Sequence, residues 1–220
     1  MNNIYILGVG HNTIVTIDLA ESCGYSVKGL YHYQPDRIGE QYFGHTIIGC
    51  NEDLFQIDLS GKQFAISVGD NRIRAELFDK IIEKGGSVVN LIHPSAIVSK
   101  YSKLGIGVCV HALSVVSADT IIGDNCIISN NDLVTHGVRI GNHCFLASNV
   151  VLGANTIMED YSFIGSGATV ISNKVGHLGK YSYVGAGAVV TKSVNEGCVV
   201  AGNPAKEFMK KDTTNSDIDI

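Results

Sequence analysis

The blocks Ile122-Gly123-Asp124-Asn125-Cys126-Ile127, Val134-Thr135-His136-Gly137-Val138-Arg139 and Ile140-Gly141-Asn142-His143-Cys144-Phe145 decide the fold. They belong to a run in which an aliphatic residue or Met opens every block of six: Val98, Leu104, Val110, Val116, Ile122, Ile128, Val134, Ile140, Leu146, Leu152, Met158, Ile164 and Val170. The register then slips by two residues and resumes at Leu178, Val184 and Val190. A period of six fits neither a helix nor an ordinary hairpin strand. It suits a coil of short strands joined by tight turns, each strand sending one large apolar side chain inward. The fifth position of each block is mostly small (Ser102, Ser114, Thr120, Cys126, Cys144, Thr156, Ser162, Ala168, Ser182, Ala188), as the crowded interior of such a coil requires. Glycine often follows the aliphatic residue (Gly105, Gly123, Gly141, Gly153, Gly165, Gly179, Gly185), where it is expected to give the corner its backbone freedom. Rungs of this kind bury their apolar side only by stacking, about 4.8 Å apart.

The first 85 residues follow a different rhythm. Ile4-Tyr5-Ile6-Leu7 reads as a strand, Gly8-Val9-Gly10-His11 as a turn, and Thr13 to Cys23 as a helix stopped by Gly24. Val27 to Tyr31 and Phe64 to Val68 read as further strands, and Ile73 to Lys84 as an amphipathic helix ending at Gly85-Gly86. Strand, glycine turn, helix, strand predicts a small Rossmann-like α/β sheet, whose first turn could seat a phosphate. The domains expected are residues 1–87, 88–206 and a polar C-terminal tail, 207–220.

Composition narrows the function. A formal charge of −5 and the lack of a basic run argue against nucleic acid. No apolar run reaches the roughly 18 residues of a membrane span. Six cysteines without a C-x-x-C pair read as thiols of a reducing compartment, which places the chain in bacterial cytoplasm. Cys126 and Cys144, one coil apart, should stack on one inward face and make poor nucleophiles.

The blocks resemble the [LIV]-[GAED]-x-x-[STAV]-x hexapeptide of the left-handed parallel β-helix acyltransferases. The resemblance extends over the N-terminal domain and the Gly202-Asn203-Pro204-Ala205-Lys206 ending, and is closest to bacterial acetyltransferases acting on nucleotide-linked amino sugars or sialic acid. It implies a left-handed β-helix of about five coils, a homotrimer with active sites at subunit boundaries, and acetyl-CoA as co-substrate. The acceptor would be a UDP- or dTDP-linked amino sugar destined for a surface glycan, such as lipopolysaccharide O-antigen. O-acetylation of a sialic acid, or a non-catalytic solenoid that binds a nucleotide sugar or a partner protein, are the alternatives.

Acetyl transfer to an amine needs a held amine, a base and a donor for the developing oxyanion. The resemblance gives the base to His136, in the block leading to Ile140-Gly141, with small Ala118 and Ala154 one coil to either side and its tautomer set by a carbonyl or by Asn130 or Asn131. His143 could assist. The oxyanion donor would be the N–H of Gly153 or Ala154, Ala154 being favoured. Gly165, Ser166, Gly185 and Ala186 would line the pantetheine arm, and Lys206 would sit near the anionic adenosine end. In the N-terminal domain the nucleotide sugar would be held by Gly8, Gly10 and His11, and by Asp70, Asn71 and Arg74 of a Gly-Asp-Asn-x-x-Arg segment. No metal is expected: the histidines of the coil, His111, His136, His143 and His177, are spaced 25, 7 and 34 apart, without the five-residue pair of zinc carbonic anhydrases of this fold.

Overall fold

The computed structural model describes residues 2–210. The chain forms two compact units, one of residues up to Pro94 together with Ile106–Cys109, the other of Ser95–Gly105 together with Val110 onward.

In the first unit β1 (Asn2–Leu7), α1 (Thr13–Ser22), β2 (Tyr25–His32), the hairpin β3 (Gln41–Tyr42) and β4 (His45–Cys50), the single turn α2 (Asn51–Leu54), β5 (Gln63–Ile66), α3 (Asn71–Glu83) and β6 (Ser87–Val88) follow one another. They build one sheet in the order β3-β4-β2-β1-β5-β6, parallel except for the β3–β4 pair. Ile4, Ile6 and Leu7 of β1 and Phe64, Ala65 and Ile66 of β5 are buried, the near-continuous apolar content expected of central parallel strands. Helix α3 turns Leu77, Phe78 and Ile81 onto Leu7, Phe64 and Val88. The chain crosses from β1 to β2 on one side and later returns from β4 to lay β5 on the other side of β1. The mouth between β1 and β5 is therefore the switch point where α/β sheets bind ligands.

The second unit is a parallel β-helix of two-residue strands lying on three faces. One face stacks Ile97–Val98, Val115–Val116, Leu133–Val134, Val151–Leu152, Thr169–Val170 and Val189–Val190. A second stacks Lys103–Leu104, Ile121–Ile122, Arg139–Ile140, Ile157–Met158 and His177–Leu178, and a third includes Ile127–Ile128, Phe145–Leu146, Phe163–Ile164 and Tyr183–Val184. Partners stand 18 residues apart, as in Leu133↔Val151 and Arg139↔Ile157, until the two-residue slip after Val170, and 20 apart across it, as in Ile157↔His177. Every aliphatic block-opener from Val110 to Val190 is at most 3 % exposed, so the hexapeptide phase is the core phase.

The glycine after each aliphatic residue serves a different purpose from the one expected. Left-handed backbone is taken two residues later, at Asp119, Asn125, Asn131, His143, Asn149, Asn155, Tyr161, Asn173 and Tyr181, with Gly137, Gly167 and Gly187 at equivalent corners. Asn, Asp and Gly tolerate that region best. Gly123 and Gly141 have no such strain to relieve. A Cβ on Gly123 would lie 2.7 Å from the carbonyl of Gly141 one coil on, and one on Gly141 2.8 Å from the amide of Asp160. They are glycines because neighbouring coils approach too closely for a side chain.

The end of the helix also departs from expectation. Residues 207–210, assigned above to the tail, belong to a strand, Lys206–Lys210, that runs antiparallel to Cys198–Ala201 and closes the third face. Val194 bridges to Leu178, and Gly202 and Ala205 exchange backbone hydrogen bonds with Val189, so the same segment covers the last rung of the other two faces. The remainder of the expected tail, 211–220, lies outside the described residues.

Candidate active site

The turn after β1 and the loop after β5 meet at the switch point. Ser67 Oγ donates to the carbonyl of Gly8 at 2.7 Å and lies 3.0 Å from Thr13 Oγ1, tying the two loops together. Gly8 is left-handed (φ +93°), and a Cβ there would stand 2.7 Å from Val68 Cγ2. Gly10 has open space where a Cβ would go. The glycine amides are not free for a phosphate: Gly8 N–H donates to Tyr31 O at 2.9 Å and Gly10 N–H to Thr13 Oγ1 at 2.8 Å. The backbone N–H groups of Val9, His11, Asn12, Ile14 and Val15 have no acceptor among the described residues; those of His11 and Asn12 lie just before α1, with the His11 side chain exposed beside them. Any anion drawn to this helix start would meet those amides.

Asp70, Asn71 and Arg74 shape the facing loop. Asp70 caps α3, accepting from the N–H groups of Arg72 (2.8 Å) and Ile73 (2.9 Å). Arg74 is 1 % exposed, and its guanidinium is folded onto the carbonyls of Val68 (3.3 Å) and Gly69 (3.1 Å) and onto Asn71 Oδ1 (2.7 Å). A buried guanidinium needs such acceptors, and here the backbone of the loop supplies them. The segment thus fixes the loop first. Asp70→Ala should cost about 1 kcal/mol, the usual loss for a removed N-cap, read as a lowered midpoint in a denaturant titration.

Beside them, the end of β2 carries His32, 3 % exposed, whose Nδ1 accepts from Gln34 N–H at 3.0 Å and whose Nε2 lies 3.3 Å from Arg37 Nη1. Burial, helped by the Arg37 charge, holds this imidazole below its ordinary range, in keeping with a neutral acceptor. Tyr42 reaches over from the β3–β4 hairpin to donate to Gly10 O at 2.9 Å.

On the β-helix, His136 and Gly137 form a corner between the first and second faces. Ala154 and Asn155 occupy the same corner one coil on, and Ser172 and Asn173 the next. The column is stitched by Asn155 N–H to His136 O (3.3 Å), Asn173 N–H to Ala154 O (3.2 Å) and Asn155 Nδ2 to Asn173 Oδ1 (2.8 Å). His136 is exposed, and its imidazole has no hydrogen-bond partner among the described residues. The asparagines proposed to orient it lie elsewhere: Asn130 and Asn131 belong to the corner between the third and first faces, where Asn131 Nδ2 donates to Asn149 Oδ1 at 2.7 Å. His143 is on the remaining corner, 8 % exposed, bonded to Asn125 Nδ2 through Nδ1 (3.0 Å) and stacked on Tyr161.

Ala154 is buried, and its N–H is already taken by Ser172 Oγ at 2.9 Å. Gly153, also buried, packs so closely on the next coil that a Cβ would stand 2.5 Å from Ser172 N. Sequence reasoning missed Ser172. The signal available was the two-residue slip after Val170, which lands on this corner.

Gly165-Ser166 and Gly185-Ala186 stack on one another at the third-to-first corner. A Cβ on Gly165 would lie 2.5 Å from Ala186 N, while Ser166 and Ala186 are exposed. Within one chain these residues therefore share no corner with His136, Gly153 and Ala154. Lys206 opens the terminal antiparallel strand and is exposed. Cys126 and Cys144 are fully buried, donating inward to the carbonyls of Gly141 (3.0 Å) and Glu159 (3.1 Å). Burial, reinforced by Cys126, holds the Cys144 thiol well above its ordinary range.

Comparison with known proteins supports the pattern. The bacterial transferase hexapeptide (six repeats) family matches residues 135–172, the span from the His136 corner to Ser172. The chain is 30 % identical over 225 residues to the GDP-perosamine N-acetyltransferase of Escherichia coli O157:H7, covering 97 % of this chain and all of that one. Among solved structures it is similar to PerB from Caulobacter crescentus in complex with CoA and GDP-perosamine, with 33 % identity, a TM-score of 0.87, and coverage of 95 % and 98 % of the two chains. It is also similar to the acetyltransferase domain of PglB from Neisseria gonorrhoeae, with 28 % identity, a TM-score of 0.85, and coverage of 94 % and 100 %. With a relative matched from end to end at this identity, the chain belongs to the hexapeptide-repeat acyltransferases, in the group of CoA-dependent N-acetyltransferases that includes the perosamine enzymes.

Proposed function

We propose that the protein transfers the acetyl group of acetyl-CoA to the amine of a nucleotide-linked amino sugar, with His136 as general base. The observation that carries this is the His136 corner. An exposed imidazole, unbound by its own chain, stands between small Ala118 and Ala154, leaving room for an amine and a thioester on either side. Histidine is suited to take the proton because its ordinary pKa lies near neutrality. The amine attacks directly, since both inward thiols are sealed in the core. Solved structures of the Caulobacter enzyme include histidine-to-alanine and histidine-to-asparagine variants with CoA and GDP-perosamine bound, which favours a histidine-centred reading.

The nucleotide we infer is GDP rather than UDP or dTDP, on the strength of the two GDP-perosamine relatives. Its phosphates would meet the free amides of His11 and Asn12, with the Gly8–Gly10 turn and the Asp70–Arg74 loop framing the pocket. The division of the other expected residues between two corners supports a cyclic assembly, a homotrimer by family habit, in which the Gly165–Ala186 corner of one copy faces the His136 corner of the next and CoA lies between them. Such an enzyme would work in the cytoplasm, and its free thiols accord with that.

The test is CoA release from acetyl-CoA in the presence of GDP-, UDP- and dTDP-linked 3- and 4-amino sugars. GDP-perosamine should turn over fastest. Turnover confined to a UDP or dTDP sugar would overturn the nucleotide assignment, and silence on every amine would overturn the reaction.

A further inference from the structure

The geometry points to the Ser172 hydroxyl, rather than a bare backbone amide, as the donor that meets the developing oxyanion. This rests on the acetyl-transfer reading above. The amide one coil from His136 is not available as it stands, because Ala154 N–H is spent on Ser172 Oγ at 2.9 Å. Ser172 Oγ therefore occupies the place an oxyanion would take against that amide. In accepting one hydrogen bond, the serine keeps its own O–H, for which no acceptor exists among the described residues. Ser172 is also exposed, at the same corner as His136 and two coils along.

The contrast with the second-to-third corner sharpens the point. There the amide of Asp124 is capped by Asn142 Oδ1 (2.8 Å) and that of Asn142 by Asp160 Oδ1 (2.7 Å). Those oxygens only accept. A hydroxyl accepts and donates, so at the His136 corner the cap can pass the amide's polarisation outward, strengthened by the bond it receives. The chain has also been lengthened at this place. The two extra residues between Val170 and Leu178 open the turn Ser172–Lys174, where the N–H groups of Lys174 (3.4 Å) and Val175 (3.3 Å) both converge on Ile171 O. The insertion has left Ser172 in register with the column above it, bonded to Ala154.

In the reaction, the amine nitrogen attacks the thioester carbonyl carbon and the π pair moves onto oxygen. Ser172 O–H donates to that oxygen while its Oγ continues to accept from Ala154 N–H. His136 takes a proton from the nitrogen. Collapse restores the C=O bond and breaks C–S, and CoA leaves as a thiolate that receives the proton from His136. The products are the N-acetyl sugar and CoA.

The test measures kcat and KM for acetyl-CoA across pH in wild type, Ser172→Ala, Ser172→Thr and Ser172→Val. Loss of one oxyanion donor typically costs 10²–10³-fold, but the freed Ala154 amide can partly replace it, so kcat should fall about 10–100-fold in the Ala and Val variants. KM for acetyl-CoA and the midpoints of the pH profile should stay put, and Thr should keep most of the rate. The Thr/Val pair differs by one hydroxyl at nearly constant shape, so it decides the matter even if Ala perturbs the corner. An unimpaired kcat in Ala and Val, or a change in KM alone, would overturn the inference and leave the amide as donor. A wild type silent on every acceptor would instead overturn the acetyl-transfer reading and this inference with it.

Discussion

His136→Ala is expected to lower kcat by about 10²–10⁴-fold, the usual contribution of a general base, with little change in KM for either substrate. The side chain is exposed and makes no hydrogen bond within the chain, so its removal leaves the corner intact. His136→Asn, which keeps a polar planar group but cannot act as a base near neutrality, should lose nearly as much. Because the base acts only as the amine attacks, the deficit belongs to the transition state and appears equally in kcat and kcat/KM. It should persist toward alkaline pH, because ionisation of the free amine affects both enzymes alike while the proton that His136 removes becomes acidic only on attack. Steady-state rates of CoA release between pH 6 and 9 read all of this. A variant that turns over as fast as the wild type would remove His136 from the mechanism.

Asp132→Asn is expected to stabilise the protein, and to do so only as pH rises. Asp132 stands at the fifth position of its block, 1 % exposed inside the β-helix. One carboxyl oxygen accepts from Val150 N–H at 2.8 Å, while Oδ2 has no partner. Burial pushes this carboxyl up to about 8, only partly offset by the backbone donors. Unfolded, it would ionise near 3.9. Between those values the folded chain holds a proton that the unfolded chain releases. Stability therefore falls with rising pH across that window, by at most about 1.4 kcal/mol per unit, and levels off above it. Asparagine keeps the acceptor for Val150 and never ionises. The two proteins should match near pH 4, and the variant should lead by about 2–4 kcal/mol at pH 8 once water entry and relaxation trim the full linkage. Urea titrations at the two pH values give the comparison, and a difference independent of pH would refute the assignment.

The same residue shows where sequence legibility ends. The hexapeptide phase identified the inward aliphatic column because each rung demands one large apolar group, and nothing else satisfies a period of six. That phase also puts Asp132 in line with Ser114, Cys126 and Cys144, so its burial was there to be read. What no phase can reveal is whether an inward carboxyl finds a second partner. The glycines were legible as a pattern but not as a cause, since close approach of coils and left-handed backbone leave the same letter in the sequence. The Gly-Asp-Asn-x-x-Arg segment reads as a ligand motif, yet Asp70 and Arg74 spend their polar groups on the loop itself. A motif records that a loop must have one shape and says nothing of which atoms remain to meet a substrate. The exposed corner position of His136 was legible from its block and its small neighbours one coil away. Ser172 was not, because the slip after Val170 marks an insertion without disclosing the hydrogen bond it creates.

The reversed strand Lys206–Lys210 bears on behaviour in concentrated solution. A stack of parallel rungs is in principle endless, and its last rung offers a row of unpaired amides and carbonyls to the first strand of another molecule, as in fibre growth. Here Val194, Gly202 and Ala205 occupy the ends of two faces, and a strand of opposite direction, with exposed Lys206 and Glu207, occupies the third. An incoming parallel rung finds neither the polarity nor the neutral edge it would need, so this end of the coil is barred from growing into a filament.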